Sequence, residues 1–171
     1  MNGGSSAVRV TDAELRAAEL QAIAALSPGK GEPPNAPQYL AILDDMLAAA
    51  IAHREGRLAD AMARIEAAGT AYAALPVDFG PPIPLKPPHE LAGEWLLAAN
   101  RPAEALRAFD QGLQRTPRRT LSLLGRARSL AASGEADAAR EAYAELAKEW
   151  ANAEPDLPAL AEVRAGAVAS N

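Results

Sequence analysis

The chain has no cysteine among its 171 residues. That absence excludes a disulfide framework, a thiol nucleophile and any thiolate metal site. Aromatic residues make up only 4% of the sequence, and histidine occurs twice, at His53 and His89. So few rings give no stacking platform for bases, and two histidines leave general acid–base chemistry with little beyond carboxylates. Positive charge is in deficit: 17 Lys and Arg against 22 Asp and Glu give a net charge of −5. Non-specific nucleic-acid binding needs a basic face, so that class is set aside. No apolar run approaches the length that crosses a bilayer, and the first residues lack the charged-then-apolar layout of a signal peptide. The cytoplasm is the default location, with the periplasm the alternative if a leader has been removed. No serine–histidine–acid spacing and no glycine-rich phosphate loop can be read. No catalytic residue and no cofactor is expected.

What is abundant is alanine, followed by leucine, glutamate and arginine, while β-branched residues are scarce. Small or straight side chains lose little rotamer freedom in a helix, and alanines let helices approach closely. Proline (14) and glycine (12) then punctuate the helical stretches. After a flexible lead-in over residues 1–10, Thr11-Asp12-Ala13-Glu14 has the layout of a capping box and opens a helix to about Leu26. Ser27 to Pro37 is a Pro/Gly linker. Apolar spacing predicts helices over Gln38–His53, Arg57–Leu75, Pro88–Ala99, Pro102–Arg115, Arg119–Ala132 and Ala136–Trp150, and a cap over 156–169. Pro102 suits a first turn. Gly69 predicts local looseness in its helix. The fold class is all-α, with eight helices.

The chain also repeats itself. Ala105 and Phe109 recur as Ala139 and Tyr143, and Asn100 recurs as Gly134, each 34 residues on. Gly93 falls twelve positions before Ala105 and Pro117 twelve after it. An earlier unit shows Gly56, Ala61 and Ile65, displaced by about ten extra residues. Gly93 lets two helices approach, and Phe109 and Tyr143 fill the space between neighbouring hairpins. Gly56, Asn100 and Gly134 take positive φ at low cost. One hairpin cannot bury its apolar face alone, so such units stack.

This spacing resembles the tetratricopeptide repeat family. The passages "LPVDFGPPIPLKPPHELAGEWLLA" and "RTPRRTLSLLGRARSLAASGE" are similar to uncharacterised bacterial members, which imply no activity. The resemblance implies a right-handed α-solenoid of about three repeats, near 39–75, 86–117 and 119–151. A proline-rich strap over 76–88 and capping helices complete one domain over 11–171. The departures are His89 and Leu123 at the usual tryptophan position and Ala151 at the second closing proline.

The family's geometry, with units starting at Ile42, Lys86 and Thr120, implies a concave groove lined by Met46, His53, Arg54, Glu90, Glu94, Leu97, Leu124 and Arg128. Glu94 and Arg128 then occupy one position in neighbouring repeats and are expected to pair. Family grooves that clamp a C-terminal carboxylate use lysine and asparagine, whereas this one offers glutamate. The expected function is a non-catalytic scaffold or adaptor, and the expected partner is a segment carrying lysine or arginine beside an apolar anchor. A self-assembly module joined through repeat ends is an alternative. A third reading, a metal-dependent site, draws on His53, Glu90 and Glu94. The stretch His89-Glu90-Leu91-Ala92-Gly93-Glu94 spells the start of the H-E-x-x-H zinc motif. Gly93 stands where the second histidine is required, so the zinc-protease reading fails.

The strap cannot continue a helix, because prolines lack amide donors and hold their predecessors extended. Phe79, Ile83 and Leu85 are expected to pin it to the hairpins beside Trp95, as a spacer or as a recognition edge. Arg101, Arg107, Arg115, Arg118, Arg119, Arg126 and Arg128 form the one basic stretch. They are expected to solubilise a helix surface and support local carboxylates, the alternative being contact with an acidic partner or lipid. Trp95, Trp150, Tyr39, Tyr72 and Tyr143 are expected at packing interfaces.

Overall fold

The computed structural model describes residues 35–77 and 84–168. The expected helix Thr11–Leu26, the lead-in before it and the strap residues Phe79 and Ile83 lie outside the described residues. Within them are seven α-helices and no strand. Helices α1 (Ala36–Arg54) and α2 (Leu58–Ala74) form a first hairpin. Helices α3 (Pro88–Ala98) and α4 (Pro102–Arg115) form a second, and α5 (Thr120–Ala132) and α6 (Ala136–Glu149) a third. Helix α7 (Leu160–Val168) closes against α6. Each hairpin docks on the next, α2 on α3 and α4 on α5, with α3 also touching α5. The architecture is a regular stack of helical hairpins of the helical-repeat type.

Local chemistry sets the ends of these helices. Proline sits in the first turn of α1, α3 and α4, where its missing amide costs nothing. The three hairpin turns are built alike. Gly56, Asn100 and Gly134 have φ of 77°, 56° and 79°. The following residue donates its amide back into the helix, from Arg57 to Ala52, Arg101 to Leu96 and Glu135 to Leu130, at 2.9, 2.9 and 3.0 Å. The turn residues donate to His53, Leu97 and Ala131 at 3.0, 3.0 and 3.1 Å. These are three Schellman caps, which need a residue at ease in the left-handed region.

Packing supplies the rest. Among the described residues half of the buried apolar side chains are alanines, so helices lie close and a few large side chains fill the gaps. Ala61, Ala105 and Ala139 are buried at equivalent places, and Ile65, Phe109 and Tyr143 are buried four residues on. The Phe109 ring lies between two helices that have glycine at the contact. A Cβ on Gly93 of α3 would stand 2.6 Å from Phe109 Cζ, and one on Gly125 of α5 closer still. Tyr143 meets Gly166 of α7 in the same manner.

Two expectations need correction. Gly69 does not loosen α2: it is buried in mid-helix, and a Cβ there would meet the His89 ring at 2.5 Å. Its lack of a side chain serves close packing. The C-terminal cap begins later than expected, because turns around Pro155 and Pro158 carry the chain to Leu160 before α7 begins.

Candidate functional site

The expected groove residues all lie on α1, α3 and α5, but the structure divides them. Glu90 is fully buried, with 0% of its surface exposed, and Leu124 is buried in the core of the third hairpin. Neither can be offered to a partner, which corrects their place in the groove. Met46 and Leu97 are half-buried against the core, while Arg54 is exposed. The His53 imidazole stacks on Trp95 with ring centroids 4.4 Å apart and planes 7° from parallel.

The expected Glu94–Arg128 pair does not form. Both Glu94 carboxylate oxygens accept from Lys86 Nζ at 2.7 Å. Arg128 instead donates to Glu162 of α7 at 2.8 and 2.6 Å, and the Tyr143 hydroxyl donates to the same carboxylate at 3.0 Å. Arg128 holds the Glu162 carboxyl below its ordinary range, while burial pushes the Tyr143 phenol up to about 12. Lys86 is only eight residues from Glu94, whereas Glu162 is as far along the chain from Arg128 as Glu94 is, so one partner wins by proximity and the other by packing of the next helix.

Glu90 is the centre of a buried polar network. Arg119 donates to it through Nε at 2.6 Å and Nη2 at 2.9 Å, and Ser122 Oγ donates at 2.6 Å. A planar guanidinium matches a carboxylate with two parallel bonds, which compensates the cost of removing both charges from water. The position of Glu90 in the first turn of α3 adds the favourable end of the helix dipole. Arg119 Nη2 also donates to the Leu85 carbonyl at 2.8 Å. At the other end of the strap, Arg115 donates to the carbonyls of Leu75 and Pro76 at 2.6 and 3.0 Å, with its guanidinium 4.4 Å over the Tyr72 ring. The turn between α4 and α5 therefore grips the connection between hairpins one and two at both ends. Leu85 itself points outward and is not a pin, contrary to expectation.

His89 answers the zinc-like spelling of its segment. Its ring packs in the space left by Gly69, and its Cβ lies against Gly112 of α4. Burial lowers its pKa, opposed by Glu66 and by a hydrogen bond to the Gly69 backbone. His53, Glu90 and Glu94 do not come together as a metal site, since Glu90 is committed to Arg119 and Ser122. Among the described residues no three His, Asp or Glu side chains converge as metal ligands.

Two clefts lie at equivalent places in hairpins two and three. The first, of about 140 Å³, is bounded by His89, Ala92, Ala108 and Gln111. The second, of about 360 Å³, is bounded by Leu123, Arg126, Ala142 and Glu145, each 34 residues further on. Arg118 spans the rim of the larger one to reach Glu149 at 2.7 Å.

Sequence reasoning did not assign Lys86, Arg115, Arg119, Ser122 or Glu162 their partners. A signal was present: Arg119 with Glu90, Arg118 with Glu149 and Arg128 with Glu162 are separated by 29, 31 and 34 residues, close to one repeat length. Compared with known proteins, the chain matches no family model, no curated protein and no solved structure at a significant level.

Proposed function

We propose that this chain is a tetratricopeptide-like right-handed solenoid that serves as a scaffold, binding a protein segment along the face made by α1, α3 and α5. The observation that carries the reading is the threefold recurrence of one hairpin: a Schellman cap at Gly56, Asn100 and Gly134, followed five residues later by a buried alanine. An array of like hairpins presents one continuous surface, and such surfaces are suited to extended partners. The accessible part of that face combines half-exposed Glu94, the His53–Trp95 stack, Met46 and Leu97. Its chemistry fits a segment with a lysine or arginine next to an apolar residue, the cation taking the place of Lys86 on Glu94.

Trp95 is the natural reporter, and Trp150→Phe removes the second indole. Titration of that variant with basic/apolar and acidic/apolar peptides is expected to favour the basic set, with affinity falling several-fold in Glu94→Gln. Preference for acidic peptides, unchanged by Glu94→Gln, overturns the reading.

A further inference from the structure

The first helix carries an apolar face that its own hairpin does not use. Leu43 and Leu47 are each 38% exposed, and Ile51, one turn further, is only half-buried. The three lie at i, i+4 and i+8, on one side of α1. Counting back from the turn residue of each hairpin shows what this side does elsewhere. Nine residues before Gly56, Asn100 and Gly134 stand Leu47, Leu91 and Gly125; five residues before them stand Ile51, Trp95 and Ser129.

In the later hairpins this stripe meets the preceding hairpin. Gly125 takes the Phe109 ring of α4, and Ser129 is fully buried beside it. Leu91 packs on the cluster that holds Ala49 and Ile65 of hairpin one, and Trp95 stacks on His53 of α1. Where a hairpin precedes, Leu91 is half-buried and Gly125 buried at the place of Leu47, although Leu121, the counterpart of Leu43, is 48% exposed; in α1 the two leucines at these places are both accessible.

We propose that the Leu43–Leu47–Ile51 face of α1 is a docking surface for this chain's own segment Thr11–Leu26. In that segment Ala13, Ala17, Leu20, Ile23 and Ala24 recur at intervals of three and four, giving one apolar side of mostly small residues. Small residues with a larger one among them are also what the second helix of hairpin one buries, as in Ala61, Ile65 and Ala68. The distance allows it. The nine residues from Ser27 to Asn35 span up to about 30 Å, and α1 with its 19 residues is about 28 Å long. Tethering also favours this occupant over a second copy, because a short linker holds the segment at an effective concentration on the order of millimolar.

The absence of native cysteine allows a direct test in the full chain. Leu47→Cys is combined in turn with Ala17→Cys, Leu20→Cys, Ile23→Cys or Glu19→Cys, and oxidised at low protein concentration. The expected result is an intrachain disulfide, seen as a monomer lighter by two hydrogens, with Leu20→Cys or Ile23→Cys but not with Glu19→Cys. Crosslinks that appear only between chains, or with no preference among the four positions, overturn the proposal. Hydrogen exchange gives a second readout that does not depend on cysteine variants. Leu20→Asp/Ile23→Asp is expected to speed exchange in α1 about tenfold, the loss of one docked neighbour, while α5 and α6 are unchanged. Unchanged exchange in α1 counts against the proposal.

Discussion

The two junctions between hairpins are built from different materials. Hairpins two and three are joined by four residues, Thr116 to Arg119, and meet through one aromatic ring set between two glycines. Hairpins one and two are joined by the thirteen residues from Leu75 to Pro87, and Ile65 stands where the later unit has Phe109. At that wider junction, arginines grip carbonyls of the connection, His89 wedges against Gly69, and His53 lies on Trp95. A short connection fixes the approach of two hairpins, so a single ring of the right size can fill the gap. A long connection leaves more freedom, and directional polar contacts supply the constraint instead. Glu90 links the two schemes: it belongs to α3 yet receives Arg119, which also holds Leu85 of the strap.

This contrast can be broken at its aromatic side first. Phe109→Ala removes the largest fully buried side chain among the described residues and leaves a cavity lined by two glycines that cannot close it. The expected loss is about 3–5 kcal/mol, measured by urea unfolding, with α3–α6 losing hydrogen-exchange protection together. A loss below about 1 kcal/mol would show that the tight junction does not depend on the ring.

The polar side comes next. Glu90→Ala leaves the partly exposed Arg119 guanidinium and the buried Ser122 hydroxyl without their acceptor. The expected cost is about 2–4 kcal/mol, somewhat below that of a wholly buried pair. The double variant Glu90→Ala/Arg119→Met should cost less than the sum of its single changes, because the second removes the stranded charge. Additive costs in the same unfolding measurement would mean that the pair is not coupled.

The smallest effect is a dependence on pH. His89 is half-buried with its pKa lowered by burial, so folding favours the neutral ring. Its contribution is fully present above the unfolded pKa of about 6.5 and is lost as pH falls through the lower folded value. The thermal unfolding midpoint should therefore fall with acid in this window, and His89→Gln should flatten the fall. An unaltered profile in His89→Gln would assign the acid sensitivity to carboxylates elsewhere.

Much of the fold could be read directly. The three turns were visible because glycine or asparagine at the right distance from a helical run is the chemical requirement of a Schellman cap. The helix limits fall within a few residues of expectation because prolines mark their starts. The pairing of Gly93 with Phe109 was foreseeable from spacing, while the second glycine in the slot, Gly125, was not, since it comes from another hairpin. The groove fared worse. The repeat register places Glu90 and Leu124, 34 residues apart, on the surface, yet that position turns inward in both hairpins, Glu90 against Arg119 and Ser122 and Leu124 into the core of hairpin three. Arg119 reaches back 29 residues to bury Glu90, and Lys86 takes Glu94 before Arg128 can.

By itself, the sequence determined the helices, their ends and the rhythm of small and bulky residues, since these depend on the backbone preferences of each residue and its near neighbours. Only the tertiary structure decided which charges face water and which are enclosed. That outcome depends on competition among distant partners for one carboxylate. The winner is set by the angle and distance at which whole hairpins meet, which no local pattern encodes.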